Sequence, residues 1–152
     1  MTASSKKTAT ETRVFNARAE SVADNPMFQP TFKRSRCIIP AAGYYEWKTI
    51  NGAKQPFYFS AADGSILSIA GLWDGCTLIV TLANDFAARI HPNMPLFLQP
   101  NNFVSGLAGS GGTELLMPAP NDSLRVRRVS KRVNCPGTDK DISLIEAVTS
   151  NG

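Results

Sequence analysis

Two side chains of this sequence are placed to move protons. Glu46 closes the apolar run Cys37-Ile38-Ile39-Pro40 and stands inside Gly43-Tyr44-Tyr45-Glu46-Trp47. Aromatic faces around a carboxylate strip it of water, which favours the protonated form and lifts its pKa toward the range useful for general acid/base work. His91 is the only histidine of the chain, set in Ile90-His91-Pro92-Asn93-Met94-Pro95. An imidazole exchanges protons near neutrality, and the neighbouring prolines stiffen the loop that presents it. On residue type alone each also has a plain reading, an exposed glutamate on a strand and a lone structural imidazole.

Other short motifs surround these two in a fixed order. Asn16-Ala17-Arg18-Ala19-Glu20 lies upstream, Cys37-Ile38-Ile39-Pro40 runs into the Glu46 motif, and Ala70-Gly71-Leu72-Trp73, Thr81-Leu82-Ala83-Asn84 and the His91 segment follow. In content and order the chain from about Phe15 to about Ala147 resembles the SRAP family, the SOS-response-associated peptidases also called abasic-site processing proteins. That resemblance implies a DNA-protein crosslinking chemistry. An N-terminal cysteine, exposed by removal of the initiator methionine, condenses through its amine and thiol with the ring-opened aldehyde of an abasic site in single-stranded DNA, giving a thiazolidine. It also implies roles. Asn16 matches the asparagine that positions cysteine and sugar, Glu46 the carboxylate that shuttles protons, and His91 the acid/base near the sugar hydroxyl. Arg18 matches an arginine on DNA phosphate. Trp47 and either Tyr44 or Tyr45 would offer aromatic surfaces to an unstacked nucleotide.

The resemblance fails at the front of the chain. The family begins Met-Cys-Gly-Arg and runs through a long segment before its Asn-Ala-Arg-Ala-Glu motif, whereas this sequence begins Met1-Thr2-Ala3-Ser4 and reaches Asn16 almost at once. Cys37, Cys76 and Cys135 are internal, so none offers the adjacent amine and thiol that a thiazolidine requires. Asn93 stands where the family usually carries arginine, removing one phosphate contact. A fragment or misplaced start, a truncated homologue, or a second chain supplying the segment would each explain the difference. The amine of Thr2 is a weak substitute, since fourteen extended residues reach about 50 Å but hold nothing in place. The expected partner is therefore abasic single-stranded DNA, with a noncatalytic DNA-binding or partner-binding remnant, or a product without selected activity, as the alternatives.

Charge agrees with an anionic partner. The formal net charge is +4 and the pI about 9.2. Arg125, Arg127, Arg128, Lys131 and Arg132 cluster late in the chain, and Lys33, Arg34 and Arg36 form a smaller group. In one strand Arg125, Arg127 and Lys131 share a face and Arg128 and Arg132 the other, so only part of this charge can line a groove. Arg36 and Arg127 are the DNA-contact candidates from these groups. A solvated basic edge that discourages strand pairing is the plain reading. Three widely spaced cysteines and one histidine make neither a disulfide framework nor a zinc pattern, and no metal or cofactor is implied. Apolar surroundings would make Cys37 a buried, inert thiol. Gly109-Ser110-Gly111-Gly112 lacks the lysine of a P-loop and reads as a flexible loop.

Short strands must carry these residues. β-branched and aromatic runs predict strands at Arg36 to Ile39, Tyr44 to Lys48, Phe57 to Ser60, Ile66 to Leu72 and Thr77 to Leu82, with turns at Asn51-Gly52 and Asp63-Gly64. Asn84 to Ile90 reads as a short helix delivering His91, and Asn101 to Leu107 as another stopped by glycines. Residues 1–13 are polar and expected to be disordered; residues 14–152 form one domain, with 43% hydrophobic and 18% charged residues in the chain as a whole. The expected fold is α+β, a curved, partly barrel-like mixed sheet flanked by short helices and incomplete relative to the SRAP family, with open strand edges. No apolar run approaches the roughly eighteen residues of a membrane span. The chain is expected in the cytoplasm, with the nucleoid in a bacterium, or in the nucleus of a eukaryote.

Overall fold

The computed structural model describes residues 14–73, 76–111, 113–138 and 140–148. The segment 1–13, expected as a disordered tail, lies outside them. In chain order the elements are β1 (Asn16–Arg18), α1 (Gln29–Arg34), β2 (Arg36–Ala41), β3 (Tyr44–Ile50), β4 (Ala53–Ala61), β5 (Leu67–Leu72), β6 (Thr77–Leu82), β7 (Asn93–Pro95), α2 (Phe103–Ala108) and β8 (Leu124–Arg128). Short 3-10 turns fill several connections, among them Ala87–Arg89 before His91 and Lys131–Asn134 after β8.

The strands form two sheets, and neither closes into a barrel. In the first, the order is β1-β6-β5-β2, with β7 pairing the end of β6. Antiparallel pairing joins β2 to β5, β5 to β6 and β6 to β7, whereas β1 runs parallel to β6. The second sheet is β3-β4-β8, antiparallel throughout. Its hairpin turns at Asn51 and Gly52, whose φ of 50° and 77° give the two-residue turn whose twist suits paired strands. Only Ala42 and Gly43 separate β2 from β3, so the chain passes from one sheet to the other at a sharp corner.

Both faces of the first sheet are covered. Ala70, Leu72, Ile79 and Leu96 pack on one side with Phe32 of α1 and Ala17, Ala19 and Val22 of the N-terminal segment. Leu67, Ile69, Met94 and Ala87 pack on the other with Phe59, Ala61 and Leu124 of the second sheet. Burial on both faces explains why β5 and β6 read as continuous apolar runs rather than alternating ones. The resulting order of layers is helices, first sheet, second sheet. No helix among the described residues is long and apolar enough to cross a membrane.

One expected strand is shorter than the sequence suggested. The basic run from Arg125 to Arg132 leaves the sheet after Arg128, because Ser130 caps a 3-10 turn by accepting from the Arg132 N–H. Lys131 and Arg132 therefore lie on no strand face, and Arg132 pairs with Asp141 at 2.7 Å.

Candidate active site

Alternation along β3 sorts its side chains into two sets. Tyr44 and Glu46 face the first sheet, and Tyr45 and Trp47 face away from it. Tyr44 anchors the inner set by stacking on Phe59 at 4.9 Å and tilting against Phe97 at 6.0 Å. Its hydroxyl is buried without a hydrogen-bond partner among the described residues, and burial, aided by the nearby Glu46 charge, pushes its pKa upward. Tyr44 is thus a core residue, and Tyr45 is the tyrosine left for an outer surface. Glu46 takes the next inner position, where the two sheets part and the apolar interior ends.

A second set of contacts brings His91 to that rim. Asn84 fixes the loop: its amide donates to the carbonyls of Ala119 at 2.8 Å and Pro120 at 3.2 Å, and its oxygen accepts from the Ala87 N–H at 2.8 Å. That bond ties the loop to the first residue of the Ala87–Arg89 turn, and the His91 N–H donates back to the Ala87 carbonyl at 3.1 Å. The ring is held through Nδ1, which lies 3.2 Å from the Asn93 N–H, 3.0 Å from the Asn93 carbonyl and 3.7 Å from Glu46 Oε2. These contacts leave Nε2 as the ring nitrogen available to a bound group.

The pair is built for proton exchange. Burial raises the Glu46 pKa above its ordinary value, while His91 and the Trp47 N–H pull it back without cancelling the rise. A carboxylate held this way gives up its proton closer to neutrality than an exposed glutamate does. Glu46, Trp47, Lys54, His91 and Asn134 line an open hollow of about 470 Å³. The Trp47 indole N–H donates to Asn134 Oδ1 at 2.9 Å, which fixes the ring at its edge.

The outer face of the second sheet adds an aromatic and basic row. Tyr45 is opposite Tyr58 and Tyr58 opposite Arg127. The Tyr45 ring lies 5.2 Å from Tyr58 and 6.4 Å from Trp47, and the Arg127 guanidinium lies 5.4 Å over Tyr58. Aromatic faces can stack on bases and guanidinium groups can pair with phosphate, and here the two kinds of group lie side by side.

The other sequence candidates make different contacts. Asn16 and Arg18 are exposed on β1, which borders β6 on the edge opposite β7, and Asn16 shares no hydrogen bond with Glu46 or His91 among the described residues. Arg18 lies near Glu20, whose carboxylate accepts from Thr81 Oγ1 and the Leu82 N–H. Arg36, read from sequence as a DNA contact, is instead engaged inside the fold. Its Nε donates to the Phe32 carbonyl at 2.6 Å, its Nη1 to Gly106 and Gly111 at 3.2 Å each, and its plane covers the Phe32 ring at 3.8 Å. Cys37 is half-buried with a raised pKa, chiefly from burial, as its apolar neighbours suggested.

Sequence reasoning missed Lys54 and Asn134. Lys54 was within reach of it, since a two-residue turn at Asn51-Gly52 sets Thr49 opposite Lys54 and Trp47 opposite Pro56. Asn134 carried no signal, because its contact with Trp47 spans 87 residues. Among the described residues no group of three or more His, Cys, Asp or Glu side chains is arranged to hold a metal ion.

The chain is similar to several known proteins. The abasic site processing protein YoaM of Bacillus subtilis is 30% identical over 141 residues, covering 82% of this chain and 62% of that protein. The abasic site processing protein HMCES of Xenopus tropicalis is 36% identical over 119 residues, covering 59% of this chain and 36% of that one. Thus the chain spans less than two thirds of the length of these relatives. A crystal structure of a protein from Bacteroides thetaiotaomicron superposes with a TM-score of 0.78 at 24% identity, covering 88% of this chain and 66% of that one. Another, from Bordetella bronchiseptica, gives 0.67 at 28% identity over 76% of this chain and 64% of that one. The family model for the SOS response associated peptidase (SRAP) matches residues 1–136, and the chain belongs to that family.

Proposed function

We propose that this chain recognises abasic sites in single-stranded DNA, receiving the baseless sugar in the hollow at the rim between the sheets. The observation that carries the reading is the Glu46–His91 pair, 3.7 Å apart beside Trp47, in a chain whose relatives are named abasic site processing proteins. Glu46 and His91 exchange protons at the sugar. Trp47 and Tyr45 stack on the neighbouring bases, and Arg127 neutralises phosphate on the same face. Asn16 positions the sugar and Arg18 contacts phosphate, as the family resemblance implies for these motif residues. Arg36 takes no part, because its donors already hold three carbonyls. A baseless sugar is favoured because it enters the hollow without the cost of unstacking a base.

The proposal for this chain is recognition and proton transfer at the sugar, carried by Glu46 and His91. The test is fluorescence anisotropy with a single-stranded oligonucleotide carrying one abasic site against the same strand intact. Tighter binding of the abasic strand is expected, and Arg127→Ala is expected to weaken binding of both strands alike, with the salt slope reduced by about 1. Equal binding of both strands leaves a nonspecific DNA-binding remnant. Binding of neither strand defeats the reading altogether.

A further inference from the structure

The hollow contains an amine. Lys54 stands opposite Thr49, so it lies diagonally across the hairpin from Trp47, on the outer face of the second sheet. With Glu46, Trp47, His91 and Asn134 it lines the same open space. Lys54 is exposed and has no hydrogen bond or ion pair among the described residues that would hold its ammonium elsewhere. Trp47 is tied to Asn134 through its indole N–H, so the wall beside Lys54 is fixed while the long lysine stem is free to turn inward.

An abasic sugar in its ring-opened form presents an aldehyde. A primary amine is the side-chain group that condenses with an aldehyde reversibly at neutral pH, whereas an arginine guanidinium does not. We propose that Lys54 is a nucleophile of this site, forming a Schiff base with the aldehyde carbon of an abasic sugar held between Trp47 and the Glu46–His91 pair. This inference rests on the recognition reading above and adds a reaction to it.

The steps balance without any reagent but water. The Lys54 ammonium first gives one proton to the Glu46 carboxylate or to water, its neutral nitrogen adds to the aldehyde carbon, and the carbinolamine loses its hydroxyl as water once an acid returns a proton, leaving the protonated imine. The imine draws electrons from the adjacent carbon, whose proton passes to Glu46 or to His91 Nε2. The carbon–oxygen bond to the 3′ phosphate then breaks, the phosphate leaves with the electron pair, and water hydrolyses the imine to release Lys54. The outcome is strand cleavage on the 3′ side of the lesion. Glu46 and His91 serve as acid in one half and base in the other.

The experiment uses the full chain and a 5′-labelled single-stranded oligonucleotide with one abasic site. Borohydride, a hydride donor, is added to reduce any imine to a stable secondary amine, and the adduct is digested and mapped by mass. Modification of Lys54 is expected, seen as a tryptic peptide running from Thr49 to Arg89 with the cut after Lys54 blocked. Without borohydride, a shortened labelled strand is expected. Lys54→Arg, which keeps the charge at an exposed position, is expected to reduce both products by about tenfold or more. Anisotropy with abasic and intact strands is measured on the same samples. An abasic preference in the parent chain with no adduct, or with the adduct on the N-terminal amine or Lys48, overturns the Lys54 assignment and leaves recognition standing. No abasic preference in the parent overturns recognition, and the Lys54 assignment falls with it.

Discussion

Glu46 works against the stability of the fold it sits in. Burial outweighs the attraction of His91 and lifts its pKa above the ordinary 4.5. The folded chain therefore holds the Glu46 proton more tightly than the unfolded chain does, so stability is greatest below about pH 4.5 in this respect and falls as pH rises toward the folded pKa. Glu46→Gln has no proton to lose. We expect its melting temperature to match the parent at low pH and to exceed it at neutral pH, with loss of proton transfer at the sugar. Thermal melts at about pH 4 and pH 7 check this, and a variant less stable than the parent at neutral pH would show that the ion pair outweighs burial. The carboxylate's surroundings were legible in Tyr44, Tyr45 and Trp47. Which tyrosine faced inward was not, because alternation fixes only that the two differ, and the neighbouring sheet decides which side is the core.

The elements deliver these side chains through one tight corner. Gly43 joins β2 to β3 where a Cβ would run into the Phe59 carbonyl and the Tyr58 ring, so this position admits no side chain without movement. Gly43→Ala is expected to cost about 1–3 kcal/mol and to displace Glu46, which lies three residues on. Urea denaturation reads the first effect and loss of abasic preference the second; a stability within error of the parent would mean that the corner relaxes. Strands β2, β3, β5 and β6 were readable because β-branched and aromatic residues dominate them. Strand β4 starts earlier than its apolar run, at Ala53, because the hairpin register carries Lys54, Gln55 and Pro56 into the ladder. Pro56 is tolerated there because β8 pairing begins only at Phe57, and the Pro56 carbonyl still accepts from the Val129 N–H at 3.2 Å. The short β1 and β7 were missed, since three residues carry no period and both take their conformation from β6.

At the scale of the molecule, the two sheets expose a long edge. Strands β2 and β3 each end their sheet, and among the described residues no strand pairs with their outer sides. Exposed apolar side chains such as Phe15, Ile66, Trp73, Val104 and Ile142 add to the surface that water must cover. Such edges template pairing between chains. We expect a chain of marginal stability that associates as its concentration rises, and Thr49→Lys, which adds a charge to the β3 edge, should suppress that association. Sedimentation over a range of concentrations is the measurement. A compact monomer throughout, with a cooperative melt, would mean that the edges are already protected.

The sequence by itself determined the chemistry on offer and the local elements. Glu46 and His91, the alternation that separates Tyr44 and Glu46 from Tyr45 and Trp47, the Asn51-Gly52 hairpin and the strand-rich α+β class follow from side-chain chemistry and short-range periodicity. The tertiary structure decided which groups meet. It closed Glu46 on His91 across two sheets, set Asn134 on Trp47, placed Asn16 on β1 beside β6 and enclosed Arg36 among carbonyls. The reason is physical. Periodicity fixes the face a side chain takes within its own element, whereas contacts between elements depend on how layers bury their apolar faces together, which no window of neighbouring residues contains.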